Sequence, residues 1–252
     1  FAINSNMCPE TPKVLDKLIE KSHNIPRLIL YTSMEAIGVQ GEYIRDGLNY
    51  DEWKSNIHRV LAEANISQLF CMMTINSLCL NSITEFMDEM LDLREEYGKL
   101  APVVTLNILR FPSFQSAAIL PEEIKSHYKD ILEKWLLSER PQAMLDEGEK
   151  ESVIRLIDYL DIVKTPHKNT AETPKLYNDF KSFFSQYDIR RNKDFVSTFP
   201  GPLAEWFKSL EAEVPSEDDI KQKRFVLEST DRTGDPATTE EYGGGDDEHE
   251  AK

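Results

Sequence analysis

Cysteine is scarce in this chain. Cys8, Cys71 and Cys79 are the three present among 252 residues, and no CxxC occurs. Three thiols cannot make a fully paired disulfide framework, which points to a reducing, cytoplasmic setting. A structural zinc site lacks its ligand set: the five histidines (His23, His58, His127, His167, His249) are scattered and make neither an HxxxH nor a pair with cysteine. The glycine-rich phosphate loops GxGxxG and GxxxxGKS/T are missing, as is the GxSxG nucleophile elbow. No apolar run approaches the roughly 18 residues of a membrane span. The first residues lack the basic flank and apolar stretch of a signal peptide. Positive charge is also short, with 29 Lys and Arg against 45 Asp and Glu and a formal net charge of -16. That balance argues against a general nucleic-acid binder, which needs a basic face. From Glu211 to Lys252 there are 14 acids and 5 bases, so the tail carries -9 and the remainder -7. A local basic pocket is compatible with the mildly acidic remainder.

What is present begins with enough apolar material for a core: 40% of residues are hydrophobic and 10% aromatic. The stretch from Leu28 to Leu48, LILYTSMEAIGVQGEYIRDGL, organises the chain. An apolar run stops abruptly in Tyr31, Thr32, Ser33 and Glu35, a loop with Gly38 and Gly41 comes next, then Arg45, then an amphipathic segment with Trp53, Ile57, Val60 and Leu61. Apolar strands that end in polar residues and pass into helices resemble buried parallel sheets. Ligands of such sheets sit beyond the carboxyl ends of the strands.

The same pattern repeats along the chain. Phe1 to Ile3 reads as a strand end inside FAIN, so the sequence is expected to begin within a domain. Thr11 is placed to cap a helix with Pro12 in its first turn. Strands are expected at Arg27–Thr32, Ser67–Thr74 and Val103–Leu109. Helices are expected at Tyr50–Ala64, Ser82–Tyr97 and Ile119–Leu137. This gives four β-α units up to about residue 140. Helical segments at Ser152–Val163 and Thr173–Tyr187 come after them, with a last short helix carrying Leu203, Trp206 and Phe207. These make an extension over 141–211. The tail, 212–252, is too polar to offset its ordering entropy and is expected to be disordered, with Phe225-Val226-Leu227 as a docking spot.

The four strands end in polar clusters: Asn4/Ser5/Asn6, Thr32/Ser33/Glu35, Thr74/Asn76/Ser77 and Asn107/Arg110. Hydroxyls and amides gathered at one edge suit a polar metabolite with ribose, amino or carboxylate groups. Arg45 can hold a carboxylate bidentately. A plainer role fits the same residues, with Ser33 capping a helix and Glu35 and Arg45 facing solvent. Cys71 reads as a small core residue. Cys79 comes after a strand end, where it can either face a site or pack in the core.

INSN at one strand end, YTSMEA at the next, GEYIRDG with YDEW after it, then MTINSLCL and LRFPSF resemble the later half of radical S-adenosylmethionine (radical SAM) enzymes. The closest similarity is to the branch with a twitch domain, and YDIRRNKDFVSTFP resembles the segment after the barrel in that branch. The resemblance runs from Phe1 to about Leu210. It implies an α/β fold, a partial (β/α) barrel represented by strands three to six. It also implies S-adenosylmethionine and a [4Fe-4S] cluster as cofactors, a reductant protein as partner and an unknown small-molecule or peptide substrate. Such enzymes cleave S-adenosylmethionine reductively to a 5′-deoxyadenosyl radical that abstracts hydrogen from substrate. The CxxxCxxC cluster loop is absent, and by the resemblance it lies upstream of residue 1.

Carried over residue by residue, Ser33 matches a position contacting the cosubstrate's ribose or carboxylate, and Arg45 one pairing with its carboxylate. Asn4 and Asn6 match the polar end of strand three. Leu109 and Arg110 match the sixth-strand end, where backbone meets adenine. Glu35 stands where many members have Asp and is expected to contact either ligand. A reading from a different class is a non-catalytic α/β interaction module that recruits partners through its acidic tail.

Overall fold

The structure, a computed structural model, describes residues 1–98, 102–162, 172–212, 214–218 and 220. Two units divide the chain, Phe1–Val214 and Pro215–Lys252, and the first holds every strand described below. The expected disordered tail and the Phe225–Leu227 docking spot lie outside the described residues, apart from a few positions at the tail's start.

Strands β1 (Ala2–Asn4), β2 (Ile29–Ser33), β3 (Gln68–Ile75) and β4 (Val103–Ile108) form one parallel sheet in the order β1-β2-β3-β4. Helix α1 (Pro12–Ser22) joins the first pair. The next connection holds α2 (Gly38–Ile44) and α3 (Tyr50–Glu63), and α4 (Ile83–Tyr97) joins the last pair. Beyond the sheet lie helices α5 (Glu122–Leu136), α6 (Glu139–Met144), α7 (Glu147–Ile162), α8 (Glu172–Arg191), α9 (Phe195–Thr198) and α10 (Pro202–Ser209). An unbroken strand order with right-handed crossovers places the connecting helices on one face of the sheet.

Burial matches that topology. Strand side chains alternate between faces. Leu30, Thr32, Leu69, Cys71, Met73, Val104 and Leu106 are buried on the helix-covered face. The opposite face, carrying Asn4, Tyr31, Ser33, Phe70, Met72, Thr74 and Asn107, is half-buried or exposed throughout. The sequence suggests strands buried on both sides; their apolar character serves one face, and Tyr31 and Phe70 stack on the other at 5.0 Å. Trp53 ties α3 beneath β2 by donating its Nε1–H to Thr32 Oγ1 at 3.0 Å.

The two sheet edges differ. Along β4, Val104 N–H donates to Glu149 Oε1 at 3.0 Å. Arg155 donates to the carbonyl of Leu106 at 3.2 Å, and Arg94 to that of Pro102 at 3.0 Å. Outward-facing strand groups are therefore satisfied by side chains, which blocks further pairing there. On β1 the outward residues Ala2 and Asn4 are exposed.

Three local expectations change. Thr11 occupies the N-cap position of α1, but its side chain makes no capping bond; its carbonyl accepts from Val14 N–H instead. Ala117–Ile119 form a separate 3-10 turn, so α5 starts only after Pro121. Helix α7 starts earlier than Ser152. Asp146 and Glu149 cap it reciprocally: Glu149 N–H donates to Asp146 Oδ1 at 2.8 Å, and Asp146 N–H to Glu149 Oε2 at 3.0 Å.

Candidate functional site

The segment after β2 carries the site. The sequence reads there as a glycine loop, and the structure holds the seven-residue helix α2 instead. Glycine is a poor helix former, which is why periodicity misses it. Two contacts explain why the helix forms. Gly41 lies against the preceding turn so closely that a Cβ there would sit 2.7 Å from the carbonyl oxygen of Ala36. Tyr43, buried at 2% exposure, plugs the far side into the C-terminal helices.

That plug is specific. Tyr43 OH donates to Asp188 Oδ1 at 2.7 Å, and Tyr187 OH donates back to the carbonyl of Tyr43 at 2.8 Å. The Tyr43 ring meets Phe199 edge-on at 5.0 Å and Phe195 at 6.0 Å. Asp46, just past α2, pairs with Arg191 at 2.9 Å and Lys193 at 3.0 Å. Burial, then the Asp188 charge, drives the Tyr43 hydroxyl upward, so it stays a donor. Burial also raises the Asp188 carboxyl, offset by bonds from Phe195 N–H and Tyr43.

Glu35 precedes α2 and Arg45 closes it. The Glu35 side chain is 4% exposed, and its Oε2 accepts from Arg45 Nε–H at 2.7 Å; the Arg45 side chain is 28% exposed. Burial raises the Glu35 carboxyl above the ordinary range, and the Arg45 guanidinium partly opposes it. Glu35 is therefore not a solvated surface acid. Nor does Ser33 cap a helix: it ends β2, and the N-cap of α2 is Ile37.

Strand alternation sorts the other candidates. Asn4, Ser33, Thr74 and Asn107 point to the open face, in staggered rows where Asn4 pairs with Tyr31, Ser33 with Met72 and Thr74 with Asn107. Asn6 builds its own turn, its Oδ1 accepting from Cys8 N–H at 3.1 Å. Asn76 does likewise, accepting from Leu78 and Cys79 N–H at 2.9 and 3.1 Å. Leu109 gives its N–H to the carbonyl of Ile75 at 2.8 Å. Arg110 is exposed beside Phe111. Beyond Arg110, a cleft of about 500 Å³ opens between the loop after β4 and α8, walled by Phe111, Phe114 and Leu176. Among the candidates named, Glu35 and Arg45 are joined side chain to side chain, whereas Asn76 Nδ2 donates to the backbone carbonyl of Thr74 at 3.1 Å.

Two of the three thiols, Cys71 and Cys79, do not fit an iron-sulfur cluster. Cys71 and Cys79 are fully buried. Cys71 donates to the carbonyl of Met34, and Cys79 exchanges bonds with the backbone of Asn76 rather than facing a site. Burial pushes the Cys71 thiol up to about 12 and the Cys79 thiol higher still, the opposite of what a thiolate ligand needs. Among the described residues no three His, Cys, Asp or Glu side chains are grouped to hold a metal. Nor is any described helix long and apolar enough to cross a membrane.

Sequence reasoning misses Tyr43 with Asp188, the Tyr31–Phe70 stack and the Arg94–Glu149 pair, which all join distant segments. Alternation along β2 is the one available signal, since it separates Ser33 from Thr32. No protein family, curated protein or solved structure matches this chain.

Proposed function

We propose that this chain is the adenosyl-binding portion of a radical SAM enzyme. Ser33, the last residue of β2, and Arg45, at the end of α2, would receive S-adenosylmethionine. Asn4, Thr74 and Asn107 on the open face offer polar groups to the cosubstrate or substrate. The partial barrel of this reading needs an unbroken parallel order with helices on one side and an open face on the other, as in a (β/α) barrel cut open. The observation that supports the reading best is Arg45: a partly exposed guanidinium past a strand end that is bonded to Glu35 through Nε and whose Nη groups make no hydrogen bond among the described residues. A carboxylate is the natural partner for such a fork.

The [4Fe-4S] ligands would have to come from outside these 252 residues, because the three thiols present lack the CxxxCxxC spacing and two of them are buried. No step of the radical chemistry is therefore assigned to these residues. Titration calorimetry with S-adenosylhomocysteine tests the reading. Binding that weakens about ten-fold or more in Arg45→Ala is expected. Absence of binding by the wild-type chain, or equal affinity in the variant, would overturn it.

The interaction-module reading draws on the missing CxxxCxxC loop and on the acidic charge concentrated in the tail. It predicts partner capture that is sensitive to salt and disappears on truncation after Ala212.

A further inference from the structure

The resemblance has Glu35 touching a ligand; its observed partner is Arg45. Glu35 is 3% exposed, and its Oε2 is engaged by a single atom, Arg45 Nε. The geometry points to Glu35 as a positioning residue that aims the terminal fork of Arg45 at a ligand carboxylate; this rests on the adenosyl-binding reading above. A guanidinium is planar, so a bond at Nε sets the plane and the roll of the whole group. The N–H groups left over are those on Nη1 and Nη2, the end of the side chain that reaches solvent. Among the described residues, they make no hydrogen bond.

Preorganisation is what this arrangement supplies. A free Arg loses rotamer entropy when it clamps a carboxylate, and tethering Nε beforehand removes part of that cost. The backbone adds to the tether: Arg45 is the C-cap of α2, with its N–H bonded to the Gly41 carbonyl at 2.9 Å. Helix α2 is in turn held by the Tyr43–Asp188 bond. Glu35 therefore acts on the ligand through Arg45 and is not itself a ligand group. A buried acid that faces one nitrogen of a half-open Arg has no comparable packing role, because an apolar side chain would fill the same space without a desolvation cost.

Two ligands and two variants test this on the full chain. S-adenosylhomocysteine carries an amino-acid carboxylate, and 5′-methylthioadenosine is an adenosyl thioether without one. Glu35→Met keeps length and burial but removes the acceptor, whereas Glu35→Gln keeps an oxygen for Nε–H. The wild type is expected to prefer S-adenosylhomocysteine by about ten-fold. Glu35→Met should bring that ratio close to one by weakening S-adenosylhomocysteine alone, and Glu35→Gln should restore part of it. A packing defect would weaken both ligands together. An unchanged ratio in Glu35→Met overturns the proposal. If the wild type binds neither nucleoside, the adenosyl reading fails, and acetate titration monitored by NMR of the Arg45 guanidinium decides the rest. Shifts in the wild type that vanish in Glu35→Met support a positioned carboxylate fork, and no shift in the wild type overturns it.

Discussion

Two Arg–Glu pairs in this molecule have the same chemistry and opposite degrees of completion. In the first, Arg94 meets Glu149 with two parallel bonds, Nη1–Oε2 at 2.8 Å and Nη2–Oε1 at 2.6 Å. The guanidinium also donates to the carbonyls of Met144 and Pro102, and the carboxylate accepts from Val104 and Asp146 N–H. In the second, Arg45 and Glu35 share one bond through Nε. The first pair joins α4, α7 and the β4 edge, so the desolvation of its charges is offset by a full set of partners. The second is tied on one side and open on the other. The first pair is saturated and architectural; the second leaves the fork unfilled, which is what the proposed ligand role requires.

Breaking the saturated pair should have the largest effect. Glu149→Ala leaves a guanidinium and two backbone N–H groups without their acceptor, and should lower unfolding free energy by about 3–5 kcal/mol in chemical denaturation. Replacing Arg94 and Glu149 together by Met should cost less than the sum of the single changes, because no lone charge remains. Additive losses would show that the two residues act independently.

The support of the open pair should be next. Tyr43→Phe leaves the half-buried Asp188 without its hydroxyl donor, for a loss of about 1–3 kcal/mol. Gly41→Ala forces a Cβ against the Ala36 carbonyl and should cost about 1–3 kcal/mol through displacement of α2. Under the proposed function both changes should also weaken S-adenosylhomocysteine binding, which a stability loss elsewhere in the fold would not do.

Breaking the open pair itself should cost the fold least. Glu35→Gln is expected to change stability at neutral pH by less than about 1 kcal/mol, because the charge it removes is buried and incompletely paired. The pH dependence sharpens the contrast. The folded carboxyl of Glu35 lies above its reference value of 4.5, so the folded state binds that proton more tightly than the unfolded state. Its contribution to stability is therefore full below that reference value and falls as pH rises through the raised one. The wild-type minus Glu35→Gln difference in unfolding free energy should decline with pH across that window. A difference that rises with pH would mean that Arg45 outweighs burial.

Much of the α/β pattern is legible because strand and helix periods are local. The run SQLFCMMT and the helix around Phe86, Met87 and Met90 announce themselves by apolar spacing alone, and each appears within a residue or two of its expected ends. Helix α2 is not legible. Its seven residues hold two glycines, and its stability comes from Tyr43 reaching Asp188, 145 positions away in sequence. For the site, spacing from strand ends nominates Ser33, Glu35 and Arg45, but it treats them as equals. Their separate roles depend on which face alternation assigns to Ser33 and on how deeply the turn after β2 buries Glu35.

The sequence by itself determined the four strand–helix units, the polar strand ends and the lack of a thiol cluster, since each is a matter of short-range pattern and residue type. Tertiary structure alone decided that one sheet face stays open, that α7 seals the β4 edge, and that Arg45 has one bond to its carboxylate while Arg94 is saturated. Those outcomes depend on which distant groups meet in a desolvated space. There, the number of partners around a charge sets its energy, and no local spacing records that number.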